Sequence, residues 1–181
     1  EGGAINPFNE YGRTKFEAEE KFRKWLSEDD NNSLIIVRPT VIFGKGNRGN
    51  VYNLLDQISS KRFVMVGSGK NRKSMAYVGN VAAFLKCCLF NAQHYGIYNY
   101  VDGPDMDMNT LISFARGSLV GSQGVGLRLP YWVGIMLGYL ADGAARVSGR
   151  PLPISSIRVK KFCASTEFTS NKNQLDDFKA P

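Results

Sequence analysis

The stretch Leu34-Ile35-Ile36-Val37 is a continuous aliphatic run that is rich in β-branched residues. Uninterrupted runs of this kind are typical of strands in parallel sheets, which are covered on both faces. Pro39 ends or bends the strand, and Thr40-Val41-Ile42-Phe43 continues in extended form towards a glycine-containing loop. The run therefore predicts a buried strand of a parallel sheet.

Helical patterns flank this strand on both sides. Before it, a helix capped by Asn9 is predicted by a stripe of residues at helical spacing: Tyr11, Lys15, Ala18 and Phe22. After it, the patterns predict helices at about 50–60, 78–90 and 109–119, the last one capped by Asn109, and strands at 63–66 and 98–102. Alternating helices and strands indicate an α/β fold.

Composition limits the class of protein. The chain has 181 residues, of which 43% are hydrophobic and 12% aromatic, enough to bury a core. A net charge of +7 suggests an anionic partner, but without a nucleic-acid-binding motif we do not expect nucleic acid. Cys87, Cys88 and Cys163 lack the spacing of a disulfide framework or a metal site, so we expect a reducing, cytoplasmic setting and no metal. Neither a signal peptide nor a spanning segment is expected.

Tyr11 and Lys15 are the first candidate catalytic residues. They are separated by one helical turn, so both side chains share one face of the predicted helix. An ammonium beside a phenol favours the phenolate electrostatically, which makes the pair a candidate proton-transfer unit. The spacing also arises by chance in a chain with 8 tyrosines, so it needs support from other motifs.

Two glycine-rich loops invite a nucleotide-binding interpretation. Gly44–Gly49 matches G-x-G-x-x-G, but no Asp or Glu lies between Asp56 and Asp102, where a dinucleotide site needs an acidic residue. Its glycines and cations suit a loop near a substrate diphosphate better. Gly67-Ser68-Gly69-Lys70 has Asn71 in place of the Ser or Thr that binds magnesium, so we interpret it as a turn.

Two basic or apolar segments leave alternatives open. Arg72 and Lys73 form either a solvated basic corner or a phosphate-binding site. The apolar segment Leu129–Ala141 is too short to span a bilayer and is expected to be a core helix. Because basic residues follow it, an amphipathic contact with a membrane surface is the alternative.

Four motifs in order resemble those of extended short-chain dehydrogenases/reductases of the sugar-epimerase type. They are Asn6-Pro7 with Tyr11-Gly12-Arg13-Thr14-Lys15, then Val37–Gly44, Lys73–Ala82 and Tyr98–Asp102. The segments 47–55 and 156–163 further resemble a bacterial subgroup that epimerises C4 of N-acetylglucosamine on undecaprenyl diphosphate, for cell-surface polysaccharides. The resemblance covers nearly the whole chain.

The resemblance implies a role for each candidate residue. Tyr11 would take the proton from the sugar C4 hydroxyl while NAD accepts the hydride, and Lys15 would assist Tyr11 and hold the nicotinamide ribose. The cofactor would be contacted by Tyr11, Lys15, Arg38, Pro39, Thr40 and Val41, and the diphosphate-linked sugar by Asn50, Val51, Arg72 and Lys73. Val41 departs from the asparagine of many nucleotide-sugar epimerases, which weakens a UDP-sugar assignment.

The resemblance also implies an architecture. Residues 1–102 would supply the later strands and helices of a Rossmann-type parallel sheet, interleaved with substrate-binding segments, and 103–181 a small mixed α/β substrate-binding subdomain. The glycine-rich loop and the Ser or Thr of the family would lie upstream, so this chain alone is expected to be inactive. A homodimer and a peripheral contact at the inner face of a bacterial membrane stay open. The alternatives are a sugar-nucleotide dehydratase or reductase, and a non-catalytic membrane-surface binding module.

Overall fold

The computed structural model of the chain describes residues 10–90, 93–150, 152, 154–169 and 178. These residues belong to two compact units, each described by itself below. The first unit falls within 1–44, 76–102 and 168–181, and the second within 45–75 and 103–167. The chain passes between the units at 44/45, 75/76, 102/103 and 167/168. The division at residue 102 that the resemblance implies stays a prediction.

Helices and strands alternate along most of the chain. In chain order the elements are α1 (Glu10–Leu26), β1 (Leu34–Pro39), β2 (Val41–Phe43), α2 (Asn50–Ser59), β3 (Met65–Val66), β4 (Arg72–Tyr77), α3 (Val78–Leu89), β5 (Tyr95–Tyr100), β6 (Asp102–Asp107), α4 (Met108–Val120), β7 (Arg128–Leu129), α5 (Tyr131–Ser148) and α6 (Ser156–Cys163). The sheets have the orders β1–β5, β2–β4–β6 and β3–β7. The predicted α/β class is confirmed.

The first unit is organised around two parallel strands. β1 pairs with β5 from Leu34↔Tyr95 to Pro39↔Tyr100, which confirms the parallel pairing predicted from the aliphatic run. Alternate β1 residues, Ile35 and Val37, pack against a buried cluster that centres on Phe84 of α3. The run is half-buried rather than fully covered, because α1 lies against β1 without any fully buried residue along its described length.

An aromatic cluster holds α3 against β5. The Phe84 ring centroid lies 4.9 Å from that of Tyr100 and 5.0 Å from that of Phe178. Cys88, on the same helix, is buried, and burial raises the pKa of its thiol to about 11. The thiol is therefore protonated at neutral pH and contributes to packing rather than to nucleophilic chemistry.

The second unit has its own core between α2 and α4. Its fully buried members are Ile58, Phe63, Met65, Met108, Ile112 and Ala115. The cap of α4 differs from the prediction: the Asp107 carboxylate accepts a hydrogen bond from the Thr110 amide, whereas Asn109 bonds to Ser68 and Arg128. The Asn9 cap lies outside the described residues.

Helix α5 corrects the prediction of a core helix at Leu129–Ala141. It runs for 18 residues, and its only fully buried residues are Gly134 and Gly138. Its large apolar side chains are exposed, among them Trp132 and Leu140. No helix in the described ranges is long and apolar enough to cross a membrane.

Candidate functional site

Tyr11 and Lys15 lie on one face of α1, near its N-terminal end. The Lys15 Nζ is 5.5 Å from the centroid of the Tyr11 ring. Tyr11 is 72% exposed, so its hydroxyl is open to a bound molecule. Thr14 donates from Oγ1 to the Tyr11 carbonyl oxygen at 3.0 Å, which is a contact within the same turn. The arrangement places a phenol and an ammonium where both can reach one ligand.

A charged cluster fixes α1 on the sheet of the first unit. Arg38 on β1 donates two hydrogen bonds to Glu19 on α1, at 2.9 and 2.5 Å. Arg23, one turn after Glu19, bonds to it at 3.2 Å and donates to the Tyr95 hydroxyl at 3.3 Å. The hydrogen bond from Arg38 holds the pKa of the Glu19 carboxyl below its ordinary value, and Glu19 raises that of Arg38. The cluster is therefore charged at neutral pH.

These contacts set the direction of α1. Arg23 meets Tyr95, which pairs with the first residue of β1, whereas Glu19 meets Arg38 near the end of β1. α1 thus runs antiparallel to β1, and its N-terminus points past the carboxyl end of that strand. Tyr11 precedes Glu19 by eight residues, or about 12 Å along the helix axis. Ligands of open α/β sheets bind at this carboxyl edge.

Pro39 is the last residue of β1, and Thr40 and Val41 follow it directly. The Thr40 amide donates to the Tyr100 carbonyl oxygen at 3.1 Å, which keeps the chain beside β5. The Thr40 hydroxyl oxygen is buried and has no hydrogen-bond partner among the described residues. A buried hydroxyl left without a partner is costly, and it fits a polar ligand at this edge. The segment is thus able to contact a cofactor, whereas the Arg38 guanidinium is engaged by Glu19.

The four candidate substrate residues belong to the second unit. Asn50 and Val51 open α2, where Asn50 is exposed. Lys73 extends towards the end of α6: its Nζ donates to the Lys161 carbonyl oxygen at 2.8 Å and also to that of Ala164. Burial lowers the pKa of Lys73. Lys73 therefore neutralises the C-terminus of α6.

Arg72 is the more accessible cation of the pair. Its side chain is 54% exposed, and its Nη1 lies 3.8 Å from a carboxylate oxygen of Glu167, which is also exposed. Exposed pairs of this kind are weak, so an anionic ligand can compete for the guanidinium. Of the two residues, Arg72 is the better placed to meet a diphosphate within its unit.

Both glycine-rich loops pack against neighbouring elements of their units. A Cβ on Gly44 would lie 2.3 Å from Val78 Cγ1, so this glycine permits close packing. The carbonyl oxygens of Gly67 and Ser68 accept hydrogen bonds from Arg128, and the turn at 67–70 stays a prediction. Within the part of the chain that the structure describes, no three His, Cys, Asp or Glu side chains are placed to hold a metal ion.

Sequence reasoning missed the residues that position the site. Glu19 is not among the residues that the sequence analysis singles out, yet it forms an ion pair with Arg38. Asp102, at the first position of β6, accepts from the Tyr77 amide at 2.6 Å and from the Tyr100 hydroxyl at 3.0 Å. Each carboxylate binds one group that is distant in sequence, Arg38 for Glu19 and the Tyr77 amide for Asp102. Only the presence of acidic residues beside predicted strands could have indicated them.

Comparison with known proteins agrees with this geometry. Residues 1–100 match the family model described as the NAD dependent epimerase/dehydratase family. The N-acetyl-α-D-glucosaminyl-diphospho-ditrans,octacis-undecaprenol 4-epimerase of Escherichia coli O157:H7 is 49% identical over 178 residues, which are 97% of this chain and 54% of the relative. The UDP-glucose 4-epimerase of Vibrio cholerae is 24% identical over 70% of this chain and 36% of its own length. The chain spans about half the length of the first of these relatives and about a third of the second.

Solved structures show the same fold. A UDP-glucuronic acid 4-epimerase from Bacillus cereus, in complex with NAD, aligns with a TM-score of 0.61 at 16% identity, over 72% of this chain and 44% of its own. The structure of gox2253 aligns with a TM-score of 0.60 at 17% identity, over 91% and 49% of the two chains. The family match, the parallel strands and the Tyr–Lys pair at their carboxyl edge agree: the chain belongs to the NAD dependent epimerase/dehydratase family.

Proposed function

We propose that this chain supplies the proton-transfer pair and the substrate-binding part of an NAD-dependent 4-epimerase that acts on a diphosphate-linked hexose. The observation that carries the proposal is the placement of Tyr11 and Lys15 beyond the carboxyl end of β1, where Glu19 and Arg38 fix their helix. The proposed substrate is an N-acetylhexosamine on undecaprenyl diphosphate, with a UDP-sugar as the alternative carrier. The Escherichia coli relative supports the first carrier.

The proposed chemistry divides between cofactor and chain. A bound NAD would supply the hydride acceptor for C4 of the sugar and the hydride donor to its opposite face. Tyr11, as phenolate, takes the proton of the C4 hydroxyl as the hydride leaves, and gives it back to the oxygen after the 4-keto sugar has turned over. Lys15 stabilises the phenolate charge and holds the ribose hydroxyls. Pro39, Thr40 and Val41 contact the cofactor, and the unpartnered Thr40 hydroxyl fits a hydrogen bond to it.

The substrate diphosphate is assigned to the second unit. Asn50 and Val51, at the exposed start of α2, contact the sugar diphosphate, and Arg72 supplies the guanidinium that forms the ion pair. Lys73 contributes positive charge, but its ammonium is not free to bind the diphosphate, because it is hydrogen-bonded to carbonyl oxygens near the end of α6. The proposed location is cytoplasmic, with a peripheral contact at the inner face of the membrane where a lipid-linked sugar resides. A homodimer is also proposed, since α1 exposes Phe22 and Trp25.

The test is Tyr11→Phe in the full-length protein, compared with Tyr52→Phe. Removal of the Tyr11 hydroxyl removes the proton acceptor, so 4-epimerisation should fall by about 10³-fold or more. Tyr52 is an exposed tyrosine on α2. Removal of its hydroxyl in Tyr52→Phe should leave the turnover rate near that of the wild type. NAD binding, followed by calorimetry, should be retained in both variants. Unchanged turnover in Tyr11→Phe contradicts the catalytic assignment, and formation of a 4-keto-6-deoxy product instead indicates a dehydratase.

A further inference from the structure

An ordinary amphipathic helix buries its large apolar side chains, whereas helix α5 exposes them and buries small residues. Its most buried residues are its smallest: Gly134 and Gly138 are fully buried, and Ala141 and Ala145, like Val133 and Ile135, are half-buried. A Cβ on Gly134 would lie 2.4 Å from Val66 Cγ1, and one on Gly138 would lie 2.7 Å from Ser156 Cα. The helix therefore packs closely through its smallest side chains and leaves its largest ones outside.

The outward face of α5 is a continuous apolar stripe. Trp132, Met136 and Leu140 recur at intervals of one helical turn, Val147 follows two turns later, and Tyr139 lies beside them. Trp132 is 66% exposed, Leu140 65% and Val147 92%. Isolated exposed apolar residues are common on proteins, but a stripe of this length marks an interaction surface. We refer to these five residues as the α5 outer face.

Cations border this face. The Lys160 Nζ donates to the Tyr139 hydroxyl at 2.9 Å and lies 5.2 Å from the centroid of the Tyr139 ring. Arg146 follows Tyr139 by two helical turns, and Arg150 comes directly after the left-handed Gly149 that ends α5. Arg146, Arg150 and Lys160 are all exposed. The one acidic residue of α5, Asp142, is turned towards Ser156, to which it is hydrogen-bonded.

We propose that the α5 outer face lies in the surface of a membrane that carries anionic lipids, with the helix parallel to the bilayer plane. Aromatic residues with a polar edge, such as Trp132 and Tyr139, prefer the boundary between headgroups and acyl chains, and the bordering cations meet the lipid phosphates. A helix of 18 residues is about 27 Å long and places all five apolar residues at one depth. The inference rests on the proposed function, because a lipid-linked sugar is presented at that surface.

Charge favours lipid over a second copy of the chain. The segment 131–163 carries five basic residues, namely Arg146, Arg150, Arg158, Lys160 and Lys161, and one acidic residue, Asp142. In a symmetric pair each copy presents the same patch, so the cations that border one face meet those that border the other. An anionic bilayer instead supplies the opposite charge along the whole edge.

The test uses the two tryptophans of the chain, Trp25 and Trp132. In the Trp25→Phe variant of the 181-residue chain Trp132 is the remaining tryptophan, and we expect vesicles of phosphatidylglycerol and phosphatidylethanolamine with brominated acyl chains to quench its fluorescence. In Trp132→Phe, the remaining Trp25 on α1 should not be quenched. Vesicles of phosphatidylcholine alone should bind about tenfold more weakly, and added salt should weaken binding to the anionic vesicles.

Two sets of variants test the two parts of the surface. The double variant Met136→Ser and Leu140→Ser should lower vesicle partitioning by about tenfold or more, whereas Leu85→Ser, on an exposed position of α3, should not change it. Arg146→Gln with Arg150→Gln should remove most of the preference for anionic lipid. Absence of quenching, or equal binding by the serine variants, overturns the inference. A dimer in sedimentation that the serine variants dissociate, without vesicle binding, assigns the face to a second copy.

Vesicle binding is independent of turnover. Tyr11→Phe should bind vesicles as the wild type does, because Tyr11 lies in the first unit and α5 in the second. Loss of epimerase activity with intact vesicle binding therefore tests the chemistry alone. If the wild-type protein does not bind vesicles but turns over a water-soluble substrate, the membrane surface alone is refuted.

Discussion

The carboxylate of Glu19 on α1 receives two hydrogen bonds from the guanidinium of Arg38 on β1, at 2.9 and 2.5 Å. Both side chains are about four-fifths shielded from solvent, with exposures of 19% and 24%. A bidentate, partly buried pair is stronger and more directional than a surface ion pair. Since α1 has no fully buried residue in the described chain, this pair is a main determinant of where Tyr11 lies.

Replacement of Glu19 by Gln should therefore weaken the attachment of α1. We expect the free energy of unfolding to fall by about 1–2 kcal/mol, because one charge-assisted hydrogen bond is lost and Arg38 is left half-buried without its anion. The control is Glu17→Gln, which removes an exposed pair with Arg13 and should change the stability by less than about 0.5 kcal/mol. Urea unfolding at neutral pH measures both. Equal effects of the two variants would falsify the role given to the cluster.

The same pair predicts a dependence on pH. The pKa of Glu19 is lowered in the folded protein, so its contribution is complete above the ordinary glutamate pKa of about 4.3 and is lost as the pH falls through the lowered value. The stability difference between the wild type and Glu19→Gln should be constant from pH 8 to about pH 5 and shrink below about pH 4. The pKa values of Asp107 and Asp142 are also lowered. Both groups titrate in the wild type and in Glu19→Gln, so their contributions cancel in the stability difference. A difference that persists unchanged to about pH 3 contradicts this account.

Local patterns predicted most elements of the fold because each depends on neighbours in sequence. The run at 34–37 indicated a parallel strand from β-branching alone, and α2 and α3 begin and end within one residue of the predicted bounds. Helix α5 was misassigned because its composition is that of a core helix. Apolar content does not reveal which face is buried, and here Gly134 and Gly138 decide the face by allowing closer approach than any larger residue.

The candidate site was predictable only in part. Tyr11 and Lys15 are one turn apart, so helical geometry brought them together from the sequence alone. The Glu19–Arg38 pair joins residues 19 positions apart, and Lys73 meets Lys161 across 88 positions. No local pattern encodes such contacts, because they follow from how helices and strands pack. Basic residues at 72 and 73 look equivalent in sequence, yet one is exposed and the other bonds to backbone carbonyls.

That difference predicts opposite outcomes for the two cations. Lys73→Met removes the donor to carbonyl oxygens near the end of α6 and should lower the free energy of unfolding by about 1–2 kcal/mol. Arg72→Met should lower the free energy of unfolding by less than about 0.5 kcal/mol, because Glu167 is exposed and its carboxylate oxygen lies 3.8 Å from Arg72 Nη1. In the assay of the full-length protein, Arg72→Met should instead raise the KM for the diphosphate-linked sugar. A larger loss of stability in Arg72→Met than in Lys73→Met is incompatible with these contacts.

The packing of α5 can be tested by one substitution made at two glycines of the same helix. In Gly138→Ala the added methyl would lie 2.7 Å from Ser156 Cα and 2.8 Å from its amide nitrogen, so α5 and α6 must move apart. Because backbone atoms cannot rotate away, we expect the free energy of unfolding to fall by about 1–3 kcal/mol. Gly143→Ala adds the same methyl where no atom lies within 4 Å, and the better helix propensity should raise stability by up to about 1 kcal/mol. Thermal unfolding of the two variants should therefore give shifts of opposite sign. If Gly138→Ala is as stable as Gly143→Ala, α5 does not pack through its small residues, and the large apolar residues on its other side need not face outward.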